Sequence, residues 1–199
     1  MATRLPSTNS IREALFDVAI AVTRIRFEVE LIGAGRIPAE GPALLVANRQ
    51  LGLSEPAVVA LGVHDATGRR VRVVALPDLP IIGDVARRLA AAIDQPLDSL
   101  SLLADGQLAL TGLGRRPLNG PSRASGAGSI SAGTTASALD LGVPVLPIAV
   151  VGSEFGRRWR VVVGQPIEPP PLRTRDRARR FADDTRIAVQ RLLTPEVGI

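Results

Sequence analysis

Ala43-Leu44-Leu45-Val46-Ala47 runs directly into Asn48-Arg49-Gln50-Leu51-Gly52-Leu53-Ser54-Glu55-Pro56. Five apolar residues in a row, without polar alternation, predict a short strand covered on both faces. The pattern then turns polar at Asn48, and Pro56 to Val63 predicts a helix. Strand, short polar loop and helix form the unit from which layered α/β domains are built.

Working outward, the same unit recurs. Upstream, Phe27, Val29 and Leu31 alternate with Glu28 and Glu30, which predicts a half-buried strand. Gly33 to Pro38 reads as the loop that follows it. Downstream, Val71 to Leu76 is a strand, Asp84 to Ile93 and Leu97 to Ala104 are helical, and Gln107 to Leu110 is a strand after the Asp105-Gly106 turn. Gly112 to Gly133 has no periodicity and is rich in Gly, Ser, Pro and Arg, so a long exposed loop is expected. Thr134 to Leu141 reads as a helix stopped by Gly142. Val143 to Val151 and Arg160 to Val163 are strands, Pro169-Pro170-Pro171 is a stiff connector, and Thr174 to Leu193 is a helix with Phe181, Thr185, Ala188 and Leu192 on one face. The expected fold class is α/β, a mainly parallel central sheet flanked by helices.

The first 26 residues form a separate segment. Ser10 and Glu13 have capping-box spacing. Ile11, Ala14, Leu15, Val18, Ala19, Val22 and Ile25 then recur with helical period. One reading is a helix packed on the domain. The other is a helix on a membrane surface, because Arg12, Arg24 and Arg26 flank the apolar stretch. The expected organisation is therefore a helix over 1–26, an α/β domain over 27–193 and a tail over 194–199.

Composition excludes several chemistries. The 199 residues contain no cysteine and a single histidine, His64, so no disulfide, thiolate or histidine-rich metal site is expected, and no cofactor. All 24 basic residues are arginine, against 19 acidic ones, for a net charge of +5. That excess suits an anionic partner such as a phospholipid surface or a phosphorylated ligand. Nucleic acid is disfavoured, because only 3% of residues are aromatic and none interleave with the arginine pairs. No run of about 18 apolar residues exists to span a bilayer, and the first residues lack the apolar core of a signal peptide. A cytoplasmic chain, able to sit peripherally on the inner face of the membrane, is the expectation.

The segment Ile37 to Asn48 resembles the approach to the first motif of the glycerolipid acyltransferases of the lysophosphatidic-acid type. Members of that family continue Asn-His, four residues, Asp; here Arg49 stands at the His position and Ser54 at the Asp position, with Glu55 one place late. The resemblance continues in order. Ala92-Ile93-Asp94-Gln95 is similar to the second motif, with Gln95 where an Arg is usual. Asp105 to Arg116 is similar to the third, with Gly114 and Arg116 matching and Leu113 at the Glu position. Gly133 to Gly152 is similar to the fourth, and Arg160 to Ile167 to the closing strand. The likeness covers roughly residues 27–193.

In that family the His is the general base on the acceptor hydroxyl, and the Asp orients it. Guanidinium has no accessible lone pair and a pKa above about 12, so Arg49 cannot replace the base. Ser54 offers no carboxylate. His64 lies past the predicted helix, about 15 Å along it, and is expected as a helix cap or surface residue. Ser131 precedes Ala132-Gly133, but position 129 is Ser where a nucleophile elbow needs Gly, so that motif is absent. No catalytic residue is therefore assigned; Arg49, Ser54, Glu55 and Leu113 are degenerate motif positions. The resemblance implies phosphate binding at Arg116, with Arg115, Arg49 and Gly114 beside it. A non-catalytic protein that binds a lipid, an acyl carrier (acyl-CoA or acyl carrier protein) or a protein partner is expected. An active acyltransferase of divergent mechanism, using Glu55 or the acceptor's own group as base, and an interaction subunit of an active acyltransferase are the alternatives.

Overall fold

The computed structural model describes residues 17–18, 20–48, 54–74, 99–113, 135–153, 155–171 and 174–194. The strands are β1 (Glu28–Ile32), β2 (Ala43–Ala47), β3 (Val71–Val73), β4 (Leu108–Gly112), β5 (Val145–Gly152) and β6 (Arg158–Val163). Helix α1 comprises residues 17–18 and 20–26. The others are α2 (Glu55–Thr67), α3 (Ser99–Ala104), α4 (Ala136–Leu141) and α5 (Arg175–Leu193). The expected helix over 84–93, the end of the strand at 75–76, the loop beyond Leu113 and the capping box at Ser10 lie outside the described residues.

One sheet holds the six strands in the order β1-β6-β5-β2-β4-β3. Every neighbouring pair is parallel except β5 with β6. The sheet is thus mainly parallel, as the alternation of strands and helices predicts. A parallel pair needs a crossover of about a dozen residues or more, and the five residues 153–157 between β5 and β6 are too few, so these two strands pair antiparallel as a hairpin.

Residue parity sorts the core into two layers. Leu45, Leu108, Leu110, Leu146, Ile148 and Val150 face the side covered by α1 and α2. Leu44, Val46, Ala109 and Val145 face α3, α4 and α5. All five residues of β2 are buried, which is why its sequence shows no alternation. A buried leucine contributes roughly 1.5–3 kcal/mol, so the central strand anchors both layers at once.

Three local expectations need correction. The stripe predicted to lay α1 on the domain faces outward: Val18 is 60%, Val22 60% and Ile25 78% exposed. The helix packs instead through Ile20 and Thr23, which are buried. Helix α2 runs four residues further than its apolar periodicity, to Thr67, and ends on Gly68 in the left-handed region (φ 69°). His64 is therefore inside its last turn, not beyond it. The buried stripe of α5 is Phe181, Ala182, Thr185 and Val189, so Ala188 and Leu192 lie at its margin.

Candidate functional site

In open α/β sheets the crevice beyond the carboxyl ends of the strands, where neighbouring connections diverge to opposite faces, is the usual ligand site. Here that point lies at the end of β2. The chain leaves β2 for α2 on one face, while β4 and β5, its two neighbours, are served by helices on the other.

Asn48 builds this corner. It is 3% exposed and pairs with β5 after β2 has ended. Its Nδ2 donates to the Val150 carbonyl at 3.0 Å and its Oδ1 accepts from the Val150 N–H at 2.6 Å. Its own N–H reaches the Ile148 carbonyl at 3.3 Å. The side chain thus stands in for one more residue of ladder, which lets the main chain leave the sheet without orphaning Val150. On the other side the Leu113 N–H donates to the Ala47 carbonyl at 2.9 Å. Sequence reasoning does not mark Asn48 as a site residue; an amide placed directly after five apolar residues in a row is the signal that points to it.

Helix α2 opens over the corner. Ser54 is the N-cap residue, and its carbonyl accepts from the Val58 N–H at 2.8 Å. Glu55 is the first helical residue and is 6% exposed. Pro56 follows within the first turn, where no intrahelical N–H is needed. A carboxylate at this end lies favourably against the helix dipole.

Leu113 falls elsewhere. It is fully buried within the layer of α3, α4 and α5, with Leu44, Val46, Leu103 and Val145. Its main chain borders β2, but its side chain belongs to the face opposite α2. The structure therefore brings the backbones of Asn48 and Leu113 together, while the Leu113 side chain packs in the layer opposite helix α2. Arg49, Gln95, Gly114, Arg115 and Arg116 lie outside the described residues.

The imidazole is far from this corner. His64 sits in the last turn of α2, where its carbonyl accepts from the Gly68 N–H at 2.8 Å. Nine residues of helix separate it from Glu55, about 14 Å of rise. Its Nδ1 lies 3.4 Å from Asp65 Oδ1, and Asp65 is also bound by Arg24. Burial pushes the Asp65 carboxyl up, but the hydrogen bonds from Arg24 and His64 outweigh it and hold it below its ordinary value. This His–Asp pair lies at the opposite edge of the sheet, beside the start of β3. Arg69, at the same edge, donates to the Pro38 carbonyl at 2.9 Å and the Gly106 carbonyl at 3.2 Å, and burial lowers its pKa.

A groove of about 880 Å³ lies over the outer face of β1 and β6. Glu28 faces Arg158 and Glu30 faces Arg160 across the two strands, at 3.5 and 2.9 Å. These exposed ion pairs line it together with Ile32, Val151, Leu192 and Leu193. Among the described residues no three His, Asp or Glu side chains converge to hold a metal ion.

The arrangement matches a solved structure over most of its length. The 1-acyl-sn-glycerophosphate (LPA) acyltransferase PlsC from Thermotoga maritima superposes with a TM-score of 0.57, over 96% of this chain and 83% of that one. The fold is acyltransferase-like. At 17% identity the likeness concerns the fold alone. No protein-family model matches the chain. Uncharacterized proteins of Mycobacterium tuberculosis and Mycobacterium bovis are 33% identical over 140 residues, 64% of this chain. The chain spans 38% of the length of those relatives. Among the described residues no helix is long and apolar enough to cross a membrane.

Proposed function

We propose that this acyltransferase-like chain binds a phosphate-bearing lipid or an acyl carrier at the end of β2 and does not transfer the acyl group. The observation that carries the reading is the position of His64. Attack by an alcohol on a thioester needs a base within about 3 Å of the hydroxyl, or one water away. The single imidazole of the chain lies at the far end of α2, and the motif's own base position is Arg49. Ser54 carries no carboxylate to orient a base, and Leu113 is packed into the core. What the sequence retains is cationic: Arg49, Arg115 and Arg116, with Gly114 beside them in the chain. A guanidinium fork binds phosphate without proton transfer.

Calorimetry with glycerol 3-phosphate, and with a short-chain lysophosphatidate below its micellar concentration, tests the reading. Binding is expected, and Arg116→Gln should weaken it about tenfold, the loss of one charge-assisted hydrogen-bonded contact. Incubation with acyl-CoA and the lysophosphatidate should release no thiol above background.

Burial of Glu55 at the first turn of α2 supports a second reading, in which this carboxylate is a displaced base. Thiol release at enzymatic rates, abolished by Glu55→Gln, would establish it and end the first.

A further inference from the structure

The structure divides the arginines of the chain into two groups. Outside α5, each described arginine holds an acceptor. Arg24 binds Asp65, and Arg70 binds Asp17 at 3.2 Å. Glu28 takes Arg157 and Arg158, and Glu30 takes Arg160. Arg26, Arg36 and Arg69 donate to main-chain carbonyls, and Arg72 to the Gln107 side chain. On α5, the guanidiniums of Arg175, Arg177, Arg179, Arg180, Arg186 and Arg191 have no such partner among the described residues.

This placement costs stability inside the domain. Arg175 and Arg177 stand in the first turn of α5, where the helix dipole disfavours a cation by about 0.3–1 kcal/mol. Arg175 and Arg179 are like charges four residues apart, and Arg177 and Arg180 are three apart, spacings at which like charges repel. Asp176, Asp183 and Asp184 are the carboxylates of the helix, half as many as its arginines. In Arg179–Asp183 and Arg180–Asp184 the cation precedes the anion, the weaker order on a helix.

The apolar stripe of α5 is turned into the domain through Phe181, Ala182 and Val189. On the opposite face Ile187 stays 38% exposed, with Arg191 one turn on and Arg180 two turns back. Beside it is a hollow lined by Arg186, Ile187, Gln190, Arg191 and Thr194. Residues 187, 190, 191 and 194 stand at i, i+3, i+4 and i+7, the corners of a hole that receives one side chain of a facing helix.

We propose that this face of α5 docks an acidic amphipathic helix of a partner protein. An apolar side chain of the partner fills the hollow at Ile187, and its flanking carboxylates take the unpaired guanidiniums, bidentate where the planes match. Arginines around a pocket that loses its water are the usual composition of an interface hot spot. A nucleic acid is disfavoured: the exposed face has no aromatic side chain on which a base could stack, and Asp176, Asp183 and Asp184 lie among the arginines. A lipid surface needs an apolar face to enter it, and that of α5 is inside the domain. Docking here needs nothing from the site at the end of β2.

Fluorescence anisotropy of a labelled synthetic helix titrated with the purified full chain tests the proposal. The helix carries leucine at heptad positions a and d and glutamate at e and g. Saturable binding is expected, weakening as salt rises. The pair Arg180→Gln with Arg191→Gln should weaken it about tenfold or more, and Ile187→Ser several-fold, with unchanged far-ultraviolet circular dichroism. The same helix with lysine at e and g should not bind, and polyglutamate, which lacks the leucines, should bind at least about tenfold more weakly. No saturable binding of the acidic helix, or binding indifferent to Ile187→Ser, overturns the proposal. So does a single-stranded oligonucleotide that binds more tightly than the helix, since the face would then serve a nucleic acid. Self-association in sedimentation velocity that Ile187→Ser abolishes overturns it as well, because a second copy would then occupy the face.

Discussion

Asn48 is the residue on which the corner depends. Its amide occupies both main-chain groups of Val150 in a buried position. Asn48→Ala leaves a buried donor and acceptor without that partner, which costs about 1–3 kcal/mol; the midpoint of urea denaturation should fall accordingly. Leu113 makes the opposite point. Placing the family's carboxylate there, as Leu113→Glu, puts a charge among Leu44, Val46 and Leu103. The expected result is a loss of several kcal/mol, read as a collapse of the thermal midpoint and not as recovered activity. Asp65 is a milder case. Its side chain is 45% exposed, so its bonds to Arg24 and His64 are worth at most about 1 kcal/mol. Its lowered pKa means that this stability is present above the ordinary carboxylate value and lost as pH falls through the folded one. Asp65→Asn should therefore lower stability at neutral pH by up to about 1 kcal/mol, cost nothing below the folded carboxyl's pKa, and so flatten the acid limb of the stability profile slightly.

At the scale of elements, close approaches set the packing. A Cβ on Gly152 would lie 2.3 Å from the ring of Trp159, itself 3% exposed and edge-on to Phe27 at 5.8 Å. Gly152→Ala must push the indole aside, an overpacking cost of about 1–3 kcal/mol. Trp159 is the one tryptophan of the chain, so its emission reports the shift directly, together with the lowered midpoint. On the neighbouring helix, a Cβ on Gly62 would meet Val29 and Leu31 at 3.1 and 3.3 Å, which explains how α2 comes so near β1. Helix α1 shows how periodicity can mislead. Val18, Val22 and Ile25 form a regular apolar stripe, yet Ile20 and Thr23 are the buried pair. A single amphipathic pattern states that one face is apolar; it does not state which neighbour that face meets.

The whole molecule is a sheet with helices on both faces, and its two layers share strands. Leu45 and Ala47 of β2 belong to one layer, and Leu44 and Val46 to the other. Neither layer can melt while β2 holds, so a single cooperative unfolding transition is expected. Trp159 emission reports the α2 side and far-ultraviolet circular dichroism both sides; their curves should coincide, and two separated transitions would contradict one domain over 27–193. The sequence by itself determined the alternation of strands and helices, the fully buried β2, the helix stop at Gly142 (φ 68°) and the absence of an imidazole beside Asn48. These follow from local rules: side-chain period, glycine's access to the left-handed region and residue identity. Only the tertiary structure decided the strand order, the antiparallel turn of β6, the opposite layers of α2 and Leu113, and the outward stripe of α1. Those depend on which distant surfaces meet, and burial free energy is nearly blind to sequence separation, so no local pattern records the choice.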